Sequence, residues 1–487
     1  MKLKNMKLNM LIYALKGVLT VLFPLLTFPY ISRVLQVENV GKYNFANSVI
    51  SYFALLASLG ISTYATREGA KLRNDKTALE IFASEIYTIN FLSTIVSYVI
   101  LLMCIFWTDT LFAYRELLFI LSVTLFFRML GKEWIYLIFE DYSYLTVRYV
   151  LFQILSIILL FAFVHTTEDY IIYAILVVIS GSGANIVNYF HSKKYCRVRL
   201  MISSGLRRHI KPIFTLFAAS IAVSVFTNSD TTLLGILGSD YDVGLYSVSV
   251  KIYNIMVSVM GAAVTVTIPR MAALSDGMEK SESRLRKTAN ETLGVLMSTL
   301  LPAVTGILIL ADEIIIIVAG SSYKQAAMSL RILSIALIFC VIGYFWGNAV
   351  LIVFQRESTV LKVTILCAII NIALNIFMIP LWKQNAAAFT TLVSQFISAL
   401  LLAHLGSNYI HTSGMQAIAV KSGIGCIGIC MVKFLISPMD LPFIPKVCLI
   451  IMGAIITFIG IQIIVRNEVI ISVLQAVRAK ISPHKKS

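Results

Sequence analysis

The sequence predicts an all-α membrane protein of about fourteen transmembrane helices, on three observations. Of its 487 residues, 59% are hydrophobic and only 13% charged, against about 25% charged in an average soluble domain. Uncharged apolar runs recur along the chain, each of the roughly 18 residues or more needed to cross a hydrocarbon core of about 30 Å; Leu293–Ala311 and Val447–Val465 are plain cases. The basic residues, finally, alternate from loop to loop.

The spans read from these runs are 9–34, 42–66, 81–107, 116–139, 146–164, 170–192, 212–237, 244–269, 290–310, 325–354, 360–380, 387–409, 421–437 and 446–465. With that division, 28 of the 40 Lys and Arg fall in or beside the chain ends and every second loop. The alternate loops and their borders carry five, and acids instead: Asp109, Glu168, Asp169, Asp240, Asp242, Asp312, Glu313 and Asp440. This is the positive-inside pattern, so the basic loops and both termini are expected in the cytoplasm. The net charge of +16 is thereby a statement about topology, and a nucleic-acid partner is not expected. Lys2, Lys4 and Lys7 precede an apolar stretch that runs to about Leu35, too long for the core of a secretory signal, so it is kept as the first helix. The seven cysteines have no CxxC spacing and are read as small buried hydrophobes.

No stretch between spans much exceeds about 20 residues, which leaves no room for a soluble catalytic domain. The most basic segment, Lys193–Lys211, holds seven cations and no acid and is read as the cytoplasmic linker between two helical groups. Its apolar residues Leu200, Met201, Ile202, Leu206 and Ile210 are expected to lie at the anionic inner membrane surface. Asn467–Lys480 reads in the same way, and 482–487 as disordered. An internal repeat places Val40-Gly41-Lys42-Tyr43 over Val243-Gly244-Leu245-Tyr246 and Arg67 over Arg270. The copies lie six helices apart, an even number. The two halves then share one orientation, a parallel repeat about an axis along the membrane normal, as in alternating-access transporters.

The chain has no zinc-protease, Walker or nucleophile–base motif. An enzyme is not expected, nor any cofactor or metal. With no ATP site, transport would draw on an ion gradient (Na+ or H+), the membrane potential or the substrate gradient. The informative residues are charges inside spans: Lys16, Arg33, Arg128, Lys132, Glu133, Asp230, Lys251, Arg331 and Lys433. Each costs at least ~2.5–3.5 kcal/mol at mid-helix, so such residues face a protein interior or wet cavity. Arg33 and Arg331 are near enough to helix ends to snorkel. Lys251 and Asp230 stand either as an ion pair or as substrate contacts. Cations outnumber acids in this set, so pairing within it leaves a surplus for an anionic substrate. Asn44, Asn47 and Ser51 form a polar stripe on one face of the second span, either helix–helix glue or a sugar-contacting wall.

At this point the residues resemble a known family. Pro24–Leu35, Gly41–Ser48 and Tyr64–Ala70 are similar to the first two helices of bacterial polysaccharide flippases. Glu133-Trp134-Ile135-Tyr136 and Tyr142–Arg148 are similar to their fourth- and fifth-helix junction, and Val243–Tyr246 to their eighth-helix start. Gln36–Asn39 departs from the usual Gly-Pro-rich turn, and Leu137-Ile138-Phe139 from a more polar triplet. The family belongs to the multidrug/oligosaccharidyl-lipid/polysaccharide exporter superfamily. The resemblance implies two six-helix lobes plus two further helices: 1–192, the linker 193–211, 212–410, and 411–487 with two extra helices and a tail. It also implies movement of undecaprenyl-pyrophosphate-linked oligosaccharide across a bacterial cytoplasmic membrane, with membrane lipids around it. The expected central-cavity residues are Arg128, Lys16, Lys251, Asp230, Arg33, Asn44 and Asn47, with Arg128 the principal phosphate ligand because its planar fork matches phosphate oxygens. The alternative is an ion-coupled exporter of a drug or metabolite in the same superfamily. The first span, with Lys16 and Arg33 and no acid, favours the anionic substrate.

Overall fold

The computed structural model describes residues 6–275, 282–472 and Gln475. The tail expected at the membrane surface therefore lies largely outside the described residues. Every regular element among them is helical, as lipid requires of a chain whose backbone donors and acceptors must be satisfied within each segment. Eleven helices are long and apolar enough to cross a membrane. Two of these contain a break, α1 (Met6–Ser58) at Gln36 and α15 (Glu357–Ser407) at Lys383. With those breaks and one apolar helix of 17 residues, Arg115–Gly131, about fourteen spans are accommodated. The outside is as apolar as the core: Trp107, Phe377, Phe434 and Ile464 are all more than seven-tenths exposed.

The chain gathers into two compact units. The first comprises residues 1–247 and 318–322. After α1 it runs through α2 (Ile61–Lys71), α3 (Lys76–Trp107), α4 (Asp109–Ala113), α5 (Arg115–Gly131), α6 (Glu133–Ile138), α7 (Tyr142–Phe163), α8 (Tyr170–Val178), α9 (Ala184–His191) and α10 (Leu206–Leu237). The helix α11 (Asp240–Ser275) begins in this unit and ends in the second. The second unit holds α12 (Glu282–Ile309), most of α13 (Ala311–Ala319), α14 (Ala326–Tyr344), α15, α16 (Met415–Ile436) and α17 (Phe443–Ile464). There α14 packs on α15, and α16 on α12 and α17.

Helix breaks are set by single residues in the left-handed region. The expected span 42–66 is interrupted at Leu59 and Gly60 (φ 47 and 71), and 116–139 at Lys132 (φ 45). Small polar residues take up backbone groups freed nearby. At the end of α1 the carbonyl of Ala57 accepts from Asn90 Nδ2 (2.8 Å) and Ser93 Oγ (2.6 Å) of α3, an interhelical use of Asn and Ser suited to lipid.

The repeated glycines meet. A Cβ on Gly41 would overlap the Asp240 carbonyl, and one on Gly244 the Val37 carbonyl. Asp240 stands four residues before Gly244, as Val37 does before Gly41. The contact is reciprocal, as it must be when two like segments pack about a local two-fold axis.

The basic linker is amphipathic as an extended strap. Residues 196–203 have no helical structure, and the amides of Arg197, Arg199 and Met201 donate to Glu80, Ser84 and Thr88 of α3 at 2.8–3.2 Å. The spacing explains the fit. Two extended residues advance about 6.6 Å and four helical residues about 6.0 Å, so alternate amides of a strand keep pace with i, i+4 side chains on a helix. Leu200 and Ile202 point outward and are exposed.

Candidate substrate site in the first unit

A cavity of about 310 Å³ opens within the first unit, at the lower end of the roughly 300–1,000 Å³ common for ligand sites. Its wall forms where regular helices are interrupted. Ala57 and Ser58 end α1, and Ile61 and Ser62 begin α2 across the Leu59–Gly60 break. Arg128 and Met129 lie in the last turn of α5, and Glu133 and Trp134 open α6 after the turn at Lys132. Opposite in sequence, Gly181 belongs to a π-helical turn (Ile179–Gly183), and a Cβ there would meet nothing within 4 Å. Asn90 and Thr94 of α3 and Asn185 of α9 supply further polar atoms. Gly131 keeps α5 and α9 close, since a Cβ on it would overlap the Asn185 side chain.

Charge is concentrated on one side of this space. Arg128 lies on the wall, accessible despite its position in an apolar helix. Glu133 lies beside it and accepts a hydrogen bond from Lys16 Nζ of α1 at 2.9 Å. Arg148 of α7 approaches the same Glu133 oxygen with Nη2 at 3.9 Å. Lys16 and Arg148 thus meet one carboxylate whose neighbour on the cavity wall is Arg128, so three cations from three helices surround a single acid, a net positive region. Trp134 Nε1 and Arg148 Nε and Nη1 are buried without a hydrogen-bond partner.

The other expected site residues are distributed differently. Arg33 bends back, Nη1 donating to Pro29 O at 2.6 Å, and lies against Gly320. Asn44 donates to Val40 O of its own helix at 2.8 Å, and Asn47 is exposed. Ser48, on the same stretch of α1, contacts α10 instead, accepting from Thr232 Oγ1 at 2.9 Å. Asp230 is buried and accepts from Tyr246 Oη at 2.8 Å. Lys251 belongs to the second unit and is partly buried there.

The surplus of span cations is smaller than the sequence count implied. Arg331 pairs with Asp312, and Lys433 with Glu313, acids at the start of α13 that the sequence placed in an outer loop. Lys132 is buried between the rings of Tyr87 and Tyr189, 4.8 and 4.7 Å from their centroids. Sequence reasoning did not count Arg148 among the charges inside spans, although it falls within the expected span 146–164. Its one signal was a lone cation inside the apolar start of α7, Tyr142–Gln153.

An apolar exterior, about fourteen spans and a polar, positively charged cavity are the features of a membrane transporter. A family model described as "Polysaccharide biosynthesis protein" matches residues 7–275, more than half of the chain. The chain belongs to that family and is a transporter rather than an enzyme. It is 24% identical over 404 residues to a candidate O-antigen transporter of Escherichia coli (strain K12), covering 80% of this chain and 93% of that protein. It is 22% identical over 395 residues to the capsular polysaccharide biosynthesis protein CapF of Staphylococcus aureus, covering 79% and 95%. In structure it is similar to the lipid II flippase MurJ in an inward closed conformation, with TM-score 0.76 at 14% identity over 94% of this chain and 100% of the other. An inward-facing multidrug resistance MATE transporter matches with TM-score 0.60 at 14% identity, over 82% and 94%. These two likenesses show the fold.

Proposed function

We propose that this protein moves undecaprenyl-pyrophosphate-linked oligosaccharide from the inner to the outer leaflet of a bacterial cytoplasmic membrane, for cell-surface polysaccharide synthesis. The observation that carries the reading is the gathering of Arg128 on the wall of an open cavity with Lys16 and Arg148 on the carboxylate beside it. A diphosphate crossing the bilayer core needs fixed positive partners and donors, because desolvating an unpaired charge costs several kcal/mol or more. Arg128 is its principal ligand, with Lys16 as an auxiliary cation and Lys251 as a further cation along the path. The polyprenyl tail stays in lipid while the head group passes. The small polar side chains Ser58, Ser62, Asn90, Thr94 and Asn185 offer hydrogen bonds to the head group. The single cavity acid is already held by Lys16, which favours an anionic cargo over a cationic drug.

Movement follows from rocking of residues 1–192 against 212–410, exposing the site to each side in turn. A Na+ or H+ gradient, or the membrane potential, drives the cycle, with both termini and the linker in the cytoplasm. Depleting the protein tests the assignment: a lipid-linked glycan should accumulate on the inner leaflet. Unchanged glycan export in depleted cells would contradict it.

A further inference from the structure

We infer that Glu133 is the cavity's internal counter-anion, displaced by the substrate diphosphate, and that Arg148 is a concealed ligand for that diphosphate. The inference rests on the flippase reading above and deepens it.

Arg148 is the anomaly. Its side chain is 10% exposed, yet Nε and Nη1 have no acceptor and Nη2 stands 3.9 Å from Glu133, beyond a hydrogen bond. A guanidinium carries five donors, and burying it with most of them unmet is costly unless an acceptor arrives at some stage. Lys16 is already engaged, with Glu133 Oε1 at 2.9 Å. Trp134, next to Glu133 on the wall, adds a second buried donor without a partner at Nε1. Trp134 lines the void, and Arg148 stands behind the wall, 3.9 Å from the Glu133 carboxylate that lines it, so unmet donors from α6 and α7 lie within one side chain of a space that a ligand can enter.

Glu133 is suited to yield. It is the first residue of a six-residue helix that follows a left-handed turn, and its side chain is 43% exposed toward the cavity. Once displaced from Lys16, its carboxylate can stay hydrated. A carboxylate and a phosphate present similar paired oxygens to Arg and Lys, so either occupies the same place. The charges also match. With Glu133 in position the three cations leave a net charge of about +2, and a diphosphate esterified at both ends carries one negative charge per phosphorus.

Equilibrium binding to the purified full-length protein separates this from the functional reading. The probes are undecaprenyl pyrophosphate and, as the uncharged control, undecaprenol. Wild type should prefer the pyrophosphate. Glu133→Gln, which keeps the shape and removes the competitor, should bind it about tenfold more tightly, with undecaprenol unchanged. Arg148→Ala should bind the pyrophosphate about tenfold more weakly, and Arg148→Lys should recover part of that loss. Combining Glu133→Gln with Arg148→Lys should reduce the gain, because the two residues act on one ligand. If Arg148→Ala does not fold, the Lys and Gln variants, which preserve volume, carry the test. Glu133→Gln binding no tighter than wild type, or Arg148 variants binding as wild type, overturns the inference and leaves the flippase reading standing. Wild-type protein with no preference for pyrophosphate over undecaprenol overturns both.

Discussion

Two carboxylates in the first unit meet basic side chains, and their surroundings differ in one respect. Glu85 of α3 is buried and fully engaged: Ser203 Oγ donates at 2.6 Å and Arg208 Nη2 at 2.7 Å, and His209 Nε2 lies at 3.0 Å. His209 is itself tied through Nδ1 to Tyr64 Oη at 2.8 Å. A Cβ on Gly205 would overlap Glu85, so even that approach is filled. Glu133 has more cations near it, but faces a cavity, and its neighbours Arg148 and Trp134 keep donors unmet. A closed, satisfied network fastens the linker to α3. The open, unsatisfied one is the proposed ligand site. Hydrogen-bond saturation, more than charge, separates the structural cluster from the proposed site.

Breaking each cluster should therefore produce different losses. Arg128→Ala should reduce glycan export by about 10- to 150-fold, the range for a lost hydrogen bond to a charged group of about 1.5–3 kcal/mol, while folded protein persists in the membrane. Arg128→Lys should recover part, and export assays alongside membrane protein levels check this. Glu85→Ala should act on stability instead, lowering it by about 2–3 kcal/mol because His209 loses its buried partner. Thermal unfolding of the purified protein should show it, with export per folded molecule near wild type.

Accessibility gives a smaller, local contrast. A cysteine at Ile202, exposed on the strap, should label from the cytoplasmic side only. Ser203, the neighbouring position, is a poorer site because its hydroxyl is held by Glu85. The native Cys196 should stay unlabelled at pH 8, since burial pushes its thiol up to about 11 and leaves little thiolate below that pH. Labelling of Ile202→Cys by an impermeant reagent from outside would contradict the topology. Least affected should be Asn44→Ala, whose amide serves its own helix; export within about twofold of wild type is expected for a substitution that breaks no contact between helices.

What was legible in the sequence follows from what lipid enforces. Long apolar runs had to be helices, and the spans emerge within a few residues of their expected places. Gly41 and Gly244 were visible as a repeat, and their reciprocal contact explains why glycine stands at both. The breaks at Gln36 and Lys383 fall in the gaps 35–41 and 381–386 left between expected spans, whereas those at Leu59 and Lys132 lie inside expected spans, because left-handed residues without glycine carry no local signal. The site was half legible. Arg128 and Lys16 stood out as charges in apolar helices. The convergence on Glu133 joins residues 117 apart in sequence, and no periodicity reports such a contact. The linker's composition announced its amphipathicity, but its extended form depends on the side chains of α3, which only the folded neighbour supplies.

Reconstituted translocation tests the central claim most directly. In proteoliposomes holding the purified protein and an undecaprenyl-pyrophosphate-linked oligosaccharide, wild type should move head groups between leaflets and Arg128→Ala should do so about 10- to 150-fold more slowly. Arg128→Ala translocating at the wild-type rate, or wild type moving an undecaprenol-linked sugar that lacks the diphosphate equally well, would contradict the account.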